Sequence, residues 1–280
     1  MEEIERTLPP HHAQPHRSDE DVGKDDGADA TGSAPPAASL EDRHDGVTAA
    51  HAAERNHLLH GLPPEDYAWL LPKLRPERLR LKDVLIEPDT PIAAVHFMRT
   101  GVGSMIATEQ EGGEIEVGTI GNEGLIGLPV VFGAESSTYR VLIQIEGEAW
   151  RLSADDFRQA MEERPAVRRR ALRYAHAFTD QIAQSVACNR LHTVEERCAR
   201  WVLMTHDRVD GDAFELTHEF LAVMLGVRRA GVTVALGALQ HAGLIRNVRG
   251  RIEVLDRTRL MAAACGCYAV TRASYRRLLD

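Results

Sequence analysis

Nowhere does this 280-residue chain approach the roughly 18 consecutive apolar residues of a membrane-spanning helix, so no membrane partner is expected. A secretory signal is also missing: Met1-Glu2-Glu3-Ile4-Glu5 is acidic and runs into Pro and His, without a basic cap, an apolar stretch or a small-residue cleavage site. A cytoplasmic location is the expectation. Cysteine is scarce. Cys188, Cys198, Cys265 and Cys267 all fall in the C-terminal third, too few and too clustered for a secreted disulfide framework, which points to reduced thiols. No nucleophile, base and orienting residue form a recognisable constellation, so an enzyme is not expected. What the chain does have is 44% hydrophobic residues over a length that suits two modest domains.

The net charge of -9 hides an uneven distribution. Residues 1–50 hold 12 acids and 4 bases, residues 51–189 hold 20 and 15, and residues 190–280 hold 10 and 14. The last part is therefore basic, and the acidic total does not exclude a nucleic-acid partner. Residues 1–50, rich in Ala, Asp, Gly, Pro, Ser and His, read as a disordered acidic tail. His11, His12 and His16 within it make a poor metal site without a carboxylate or Cys partner.

From His51 to Leu74, helically spaced leucines broken by Pro63-Pro64 predict two short helices. Short β-rich runs follow at Val84–Ile86, Ala94–Met98, Val102–Ala107, Ile115–Ile120, Tyr139–Ile145 and Ala149–Leu152, which indicate a small antiparallel barrel or roll. Ser153 stands as an N-cap, and after Pro165 a long apolar stripe runs to Leu191, suited to a dimerisation helix. The segment Leu216 to Leu236 has the grammar of a helix-turn-helix. Thr217 caps a short helix, Gly226 supplies a positive φ, and a second helix follows. Leu221, Ala222, Leu225, Val232, Leu236 and Leu239 would face the core, leaving Arg228, Arg229 and Thr233 outward, where they could reach base edges. Between Arg228 and Arg251 there are five arginines and no acid, a phosphate-contacting pattern, and Arg249-Gly250 predicts the turn of a hairpin.

Three other patterns are weaker. His218-Glu219 opens like an HExxH zinc motif, but the fifth residue is Ala222. Gly118, Gly121, Gly124 and Gly127 recur every three residues without a Walker-type Lys, which reads as roll turns and a pocket rim. Cys265-Gly266-Cys267 is too short for a CxxC redox motif. With Cys198 it could form a thiol sensor or half a metal site, but buried thiols are the favoured reading and no metal site or cofactor is assigned.

Residues 55–280 resemble the Crp/Fnr transcription regulators. The resemblance rests on Leu216-Thr217 through Gly226-Val227-Arg228-Arg229, on Val232-Thr233-Val234-Ala235-Leu236, and on Gly243-Leu244-Ile245 with Arg249-Gly250-Arg251-Ile252 as a wing. Ala264-Cys265-Gly266-Cys267-Tyr268 and Tyr275-Arg276-Arg277-Leu278-Leu279 look like a subgroup of that family. The resemblance implies an α+β fold: a cyclic-nucleotide-binding-like antiparallel β-roll sensor over 51–164, a dimerisation helix over 165–191 and a winged helix-turn-helix over 192–280. It implies a homodimeric regulator reading a near-palindromic double-stranded operator, with RNA polymerase as a partner if it activates. The alternative is a ligand-binding or protein-interaction module that has lost DNA binding. The DNA-contacting candidates are Thr217, His218, Arg228, Arg229, Thr233, Arg246, Arg249 and Arg251.

By the same resemblance Arg229 matches a guanine-reading arginine, whereas Ala230 and Val234 replace a base-reading Glu and a second Arg, so the operator should differ. The effector-pocket candidates are Gly121, Glu123, Gly124, Gly127, Ser137, Thr138 and Arg140. Gly127-Leu128 stands where cyclic-nucleotide binders carry Gly-Glu, and Ser137-Thr138 where they carry Arg-Ser, so tight cyclic-AMP binding is not expected. The effector is left open. No cysteine in the sensor half could hold an iron-sulfur cluster, and His96, the nearest haem-ligand candidate, reads as a packed histidine.

Overall fold

The computed structural model describes residues 40–109 and 112–279. The segment read as a disordered tail lies outside the described residues up to residue 39, as do His11, His12 and His16. From residue 40 that reading is corrected: α1 (Leu40–Ala52) is a helix. Val47 and Ala50 pack on the core of the next domain, and the His51 ring stacks on Tyr67 with centroids 4.4 Å apart. Tertiary docking stabilises a helix whose own composition is weak.

The Pro63-Pro64 break separates α2 (His57–His60) from α3 (Pro64–Leu70), which continues into a 3-10 turn, Leu71–Lys73. Asn56, fully buried, caps α2 through Oδ1, and its Nδ2 donates to the carbonyls of Met98 at 2.8 Å and Gly124 at 2.7 Å. This ties the entry helices to the roll.

The roll comprises β1 (Arg75–Leu79), β2 (Val84–Ile86), β3 (Ala94–Met98), β4 (Val102–Thr108), β5 (Glu114–Ile120), β6 (Leu125–Ile126), the short helix α4 (Leu128–Val131), β7 (Arg140–Ile145) and β8 (Gly147–Ser153). Two antiparallel four-stranded sheets, ordered β1-β8-β3-β6 and β2-β7-β4-β5, enclose Val95, Met98, Met105, Leu125, Val141 and Ile143. The runs read from the sequence are strands here. The exceptions are β1 and β6, which the sequence analysis did not find. Strand β1 reads Arg-Pro-Glu-Arg-Leu, a pattern tolerated because it lies at a sheet edge and pairs with β8 alone.

Ser153 Oγ accepts from the Asp156 amide at 3.1 Å and opens α5 (Ala154–Glu163). Pro165 then begins α6 (Pro165–Leu191). Its apolar stripe divides. Ala171, Tyr174, Ala175 and Phe178 are buried on the roll, whereas Leu172, Val186 and Leu191 remain 42%, 67% and 73% exposed. A reciprocal capping box of Thr193 and Glu196 starts α7 (Val194–His206).

Beyond it come β9 (Ala213–Glu215), α8 (His218–Leu225), α9 (Arg229–His241), β10 (Ile245–Val248), β11 (Arg251–Val254), α10 (Arg257–Ala263) and α11 (Cys267–Leu279), the last packed along α6. The strands form one sheet, β10-β11-β9, on a second core that includes Trp201, Val202, Phe214, Leu221, Val232, Leu236 and Ile252. No single helix among the described residues is long and apolar enough to cross a membrane.

Candidate nucleic-acid interface and its coupling to the roll

Helices α8 and α9 meet at 105°, within the range of helix-turn-helix units. Thr217 Oγ1 accepts from the Phe220 amide at 3.2 Å, and Gly226 adopts φ 59°, ψ 41°, the left-handed conformation the tight turn requires. Leu221, Ala222, Leu225, Val232, Leu236 and Leu239 are buried, and Arg228, Arg229 and Thr233 are exposed, as the spacing predicts. Between β10 and β11 the two-residue turn Arg249-Gly250 has φ 51° and 78°, the both-positive geometry of a hairpin turn matched to strand twist.

One surface cleft of about 370 Å³ is lined by Thr217, His218, Glu219, Arg229, Asn247, Arg249 and Gly250, so the helix starts and the wing share a face. A small network organises it. Thr233 Oγ1 donates to the Arg229 carbonyl at 3.1 Å, which leaves it to accept from His218 Nδ1 at 3.0 Å. Asn247 Nδ2 can then donate to His218 Nε2 at 2.8 Å, so the network assigns the Nδ1-protonated tautomer. Arg228, Arg246 and Arg251 are exposed; the strand register sets Arg246 and Arg251 on the side of the wing opposite Asn247, where Arg246 pairs with Glu253 at 2.8 Å. Sequence reasoning missed Asn247 and Glu219. The second pairs with Arg229 at 2.6 Å and, at this exposure, holds its direction more than it adds stability.

Residues 76–164 match the cyclic nucleotide-binding domain, and residues 196–263 match the Crp-like helix-turn-helix domain. The chain belongs to the Crp/Fnr family. Members of this family are transcription regulators, not enzymes, and the chain carries their DNA-binding fold. Solved structures with the same fold include FixK2 from Bradyrhizobium japonicum (TM-score 0.60, 16% identity, 69% of this chain and 98% of that one). A putative crp/fnr-family regulator from Eubacterium rectale aligns with TM-score 0.57 and 17% identity over 74% and 96%. The c-di-GMP-responsive global regulator CLP of Xanthomonas campestris aligns with TM-score 0.52 and 16% identity over 69% and 99%. No curated protein matches the sequence.

In this Crp/Fnr chain the seven effector-pocket residues have three different surroundings. A Cβ on Gly121 would lie 2.4 Å from the Arg208 side chain, and one on Gly124 would lie 2.1 Å from the Tyr174 ring. These glycines, with Gly118 under Phe178, admit side chains from α6 and the end of α7. Glu123 is 8% exposed and grips Arg208, with Nη2 to Oε1 at 2.8 Å. Gly127, at φ 123°, starts α4 against Val95. Ser137 Oγ accepts from the Tyr139 amide, Thr138 is exposed, and Arg140 is held by Glu87 at 2.8 Å and Glu114 at 3.3 Å. His96 is buried in β3 with Nε2 3.1 Å from Glu77, and burial lowers its pKa.

Helix α8 is also docked on the roll. Met224 Sδ lies 3.7 Å from Ser104 Oγ, and Ile115 of β5 abuts the Gly226 turn. Beneath this contact Glu116 accepts from Ser104 Oγ at 2.6 Å and from Trp201 Nε1 at 3.1 Å. Burial pushes its pKa up to about 7, against those hydrogen bonds and the fields of Arg200 and Arg208. A raised acid pKa means that the folded protein holds the proton more tightly than the unfolded chain. The stability contributed by Glu116 is therefore full below about pH 4.5, is lost as pH rises towards 7, and is level above, an effect of about 3 kcal/mol from this group. Glu116→Gln is expected to flatten that slope in melting curves taken from pH 5 to 8. A variant whose pH dependence matched that of the parent would count against this assignment.

Proposed function

We propose that the protein is a homodimeric, sequence-specific transcription regulator that reads a near-palindromic operator through α9 and acts in the cytoplasm without requiring cyclic AMP. The observation that carries this reading is the cleft that Thr217, His218 and Arg229 share with Arg249 at the tip of the wing, with Thr233 hydrogen-bonded to His218 and with Arg228, Arg246 and Arg251 exposed on the same helix and wing. The exposed Leu172, Val186 and Leu191 of α6 support dimerisation along that helix, which would set two α9 helices one DNA turn apart. Independence from cyclic AMP is supported by apolar Leu128 at the start of α4 and by Arg140 being engaged with two carboxylates. The effector is a separate small molecule or none, and RNA polymerase is the further partner if the protein activates.

Selection of bound sequences from random duplex DNA, with and without cyclic AMP, tests this. An enriched palindrome in both arms is expected; absence of enrichment in both would favour a module without DNA binding. Arg229→Ala should lose about 1–3 kcal/mol of discrimination at one base pair per half-site. Uniform loss on all sequences would make Arg229 a phosphate contact.

A further inference from the structure

Where α6 ends and the C-terminal helices begin, three buried cysteines and a histidine converge. Cys188 lies in the last turn of α6, and His192 follows one turn later as its C-cap. Cys265 lies in the turn between α10 and α11, and Cys267 is the first residue of α11. Their donor atoms all lie within 4.8 Å of one another, with Cys188 Sγ 3.4 Å from Cys265 Sγ and Cys267 Sγ 3.5 Å from His192 Nδ1. The sequence analysis weighed Cys198 as a partner of Cys265 and Cys267 and favoured plain buried thiols. Cys198 is instead buried in the winged-domain core, and the thiol cluster draws its third member from α6.

We propose that these four residues form a closed, mononuclear Cys3His zinc site. Tetrahedral zinc with Zn–S of about 2.3 Å and Zn–N of about 2.05 Å sets its ligand atoms about 3.8 Å (S to S) and 3.6 Å (S to N) apart, close to the spacing found. Thiolate-rich tetrahedral donor sets select zinc, and a site this compact suits one ion rather than a cluster with ligands on separate irons. Outer contacts fit as well: Gln184 Nε2 is 3.0 Å from Cys267 Sγ, where its N–H donates to the sulfur.

Charge gives a second, independent sign. Arg197, 7% exposed, borders the cluster, and its hydrogen-bond partners are neutral, Asn189 Oδ1 and the Leu225 carbonyl; Arg200, 8% exposed, bonds to Ser185 and also feels Glu116. Buried guanidinium groups need an anion nearby. Three thiolates around Zn2+ carry a net charge of -1, the three thiol protons leaving to solvent on binding, and His192 contributes a neutral donor. The ion would bind the end of α6 to the base of α11, closing a loop that contains the whole helix-turn-helix and wing.

The test uses the full chain purified without chelator. Elemental analysis is expected to find one zinc per chain, released when a mercurial reagent titrates the thiols. Cobalt added to the stripped protein should give the visible bands of tetrahedral, thiolate-ligated Co2+. Cys265→Ser and Cys267→Ser should lose the metal, and Cys198→Ser should keep it. If the serine variants fail to fold, the cobalt spectrum of the unaltered chain still decides. A chain without stoichiometric zinc or a cobalt spectrum after reduction overturns the proposal, as does a Cys188–Cys265 disulfide in the native protein. Metal content is read separately from operator selection, so failure of one leaves the other standing.

Discussion

Glu123→Ala is expected to destabilise the protein by about 3–5 kcal/mol, the usual cost of stripping one partner from a buried ion pair. Arg208 is 8% exposed, and its Nε and Nη2 reach both Glu123 oxygens at 2.8 to 3.1 Å. Burial works against the guanidinium charge, and the Glu123 carboxylate overrides it, so the Arg208 pKa stands above its ordinary value. Removing the acid leaves a cation with the Met204 carbonyl at 2.6 Å and the Gln181 amide oxygen at 3.4 Å, neither of which carries a compensating charge. The pair joins the loop between β5 and β6 to the end of α7, so its loss should loosen the DNA-binding half from the roll as well as lower overall stability. A double variant, Glu123→Met with Arg208→Met, should recover most of the deficit, because well-packed apolar replacements of buried ion pairs are often neutral. Denaturant titrations of the single and double variants give the coupling energy. A single-variant loss below about 1 kcal/mol would show that the pair is solvated like a surface one.

Removing the wing charges should act on binding rather than folding. In the dimer, Arg246→Thr, Arg249→Asn and Arg251→Thr together delete six charges, and the slope of log affinity against log salt should become shallower by roughly 5, at about 0.9 per phosphate contact. Sequence preference should survive, since phosphate contacts position the protein without reading bases. Asn is chosen at residue 249 because Asn-Gly suits a turn in which both residues have positive φ, so the hairpin is retained. Binding isotherms at several salt concentrations check this, and an unchanged slope would take the wing out of the interface.

The helix-turn-helix was legible because its signals are local: a cap at Thr217, a left-handed Gly226 and apolar residues at helical spacing. The boundaries of α6 were equally plain from Pro165 and the stripe that follows. What escaped depends on contacts between distant segments. The alternation in β4, β5 and β7 turns Ser104, Glu116 and Gln144 away from the roll interior. Nothing nearby in sequence indicates that Trp201 and Met224 cover them. The glycines at 118, 121 and 124 show their purpose only once Phe178, Arg208 and Tyr174 are placed over them. Cys188 and His192 are separated from Cys265 and Cys267 by the entire winged domain, so pattern reading had no reason to join them.

The docking of α8 on β5 also carries a thermodynamic obligation. If operator DNA binds best when that contact has shifted, any molecule that stabilises the shifted roll must tighten DNA binding. Reciprocity then requires DNA to tighten that molecule's binding by the same factor. An effector too weak to detect on the free protein would become measurable on the DNA complex, so the operator itself can serve as the reagent for finding it.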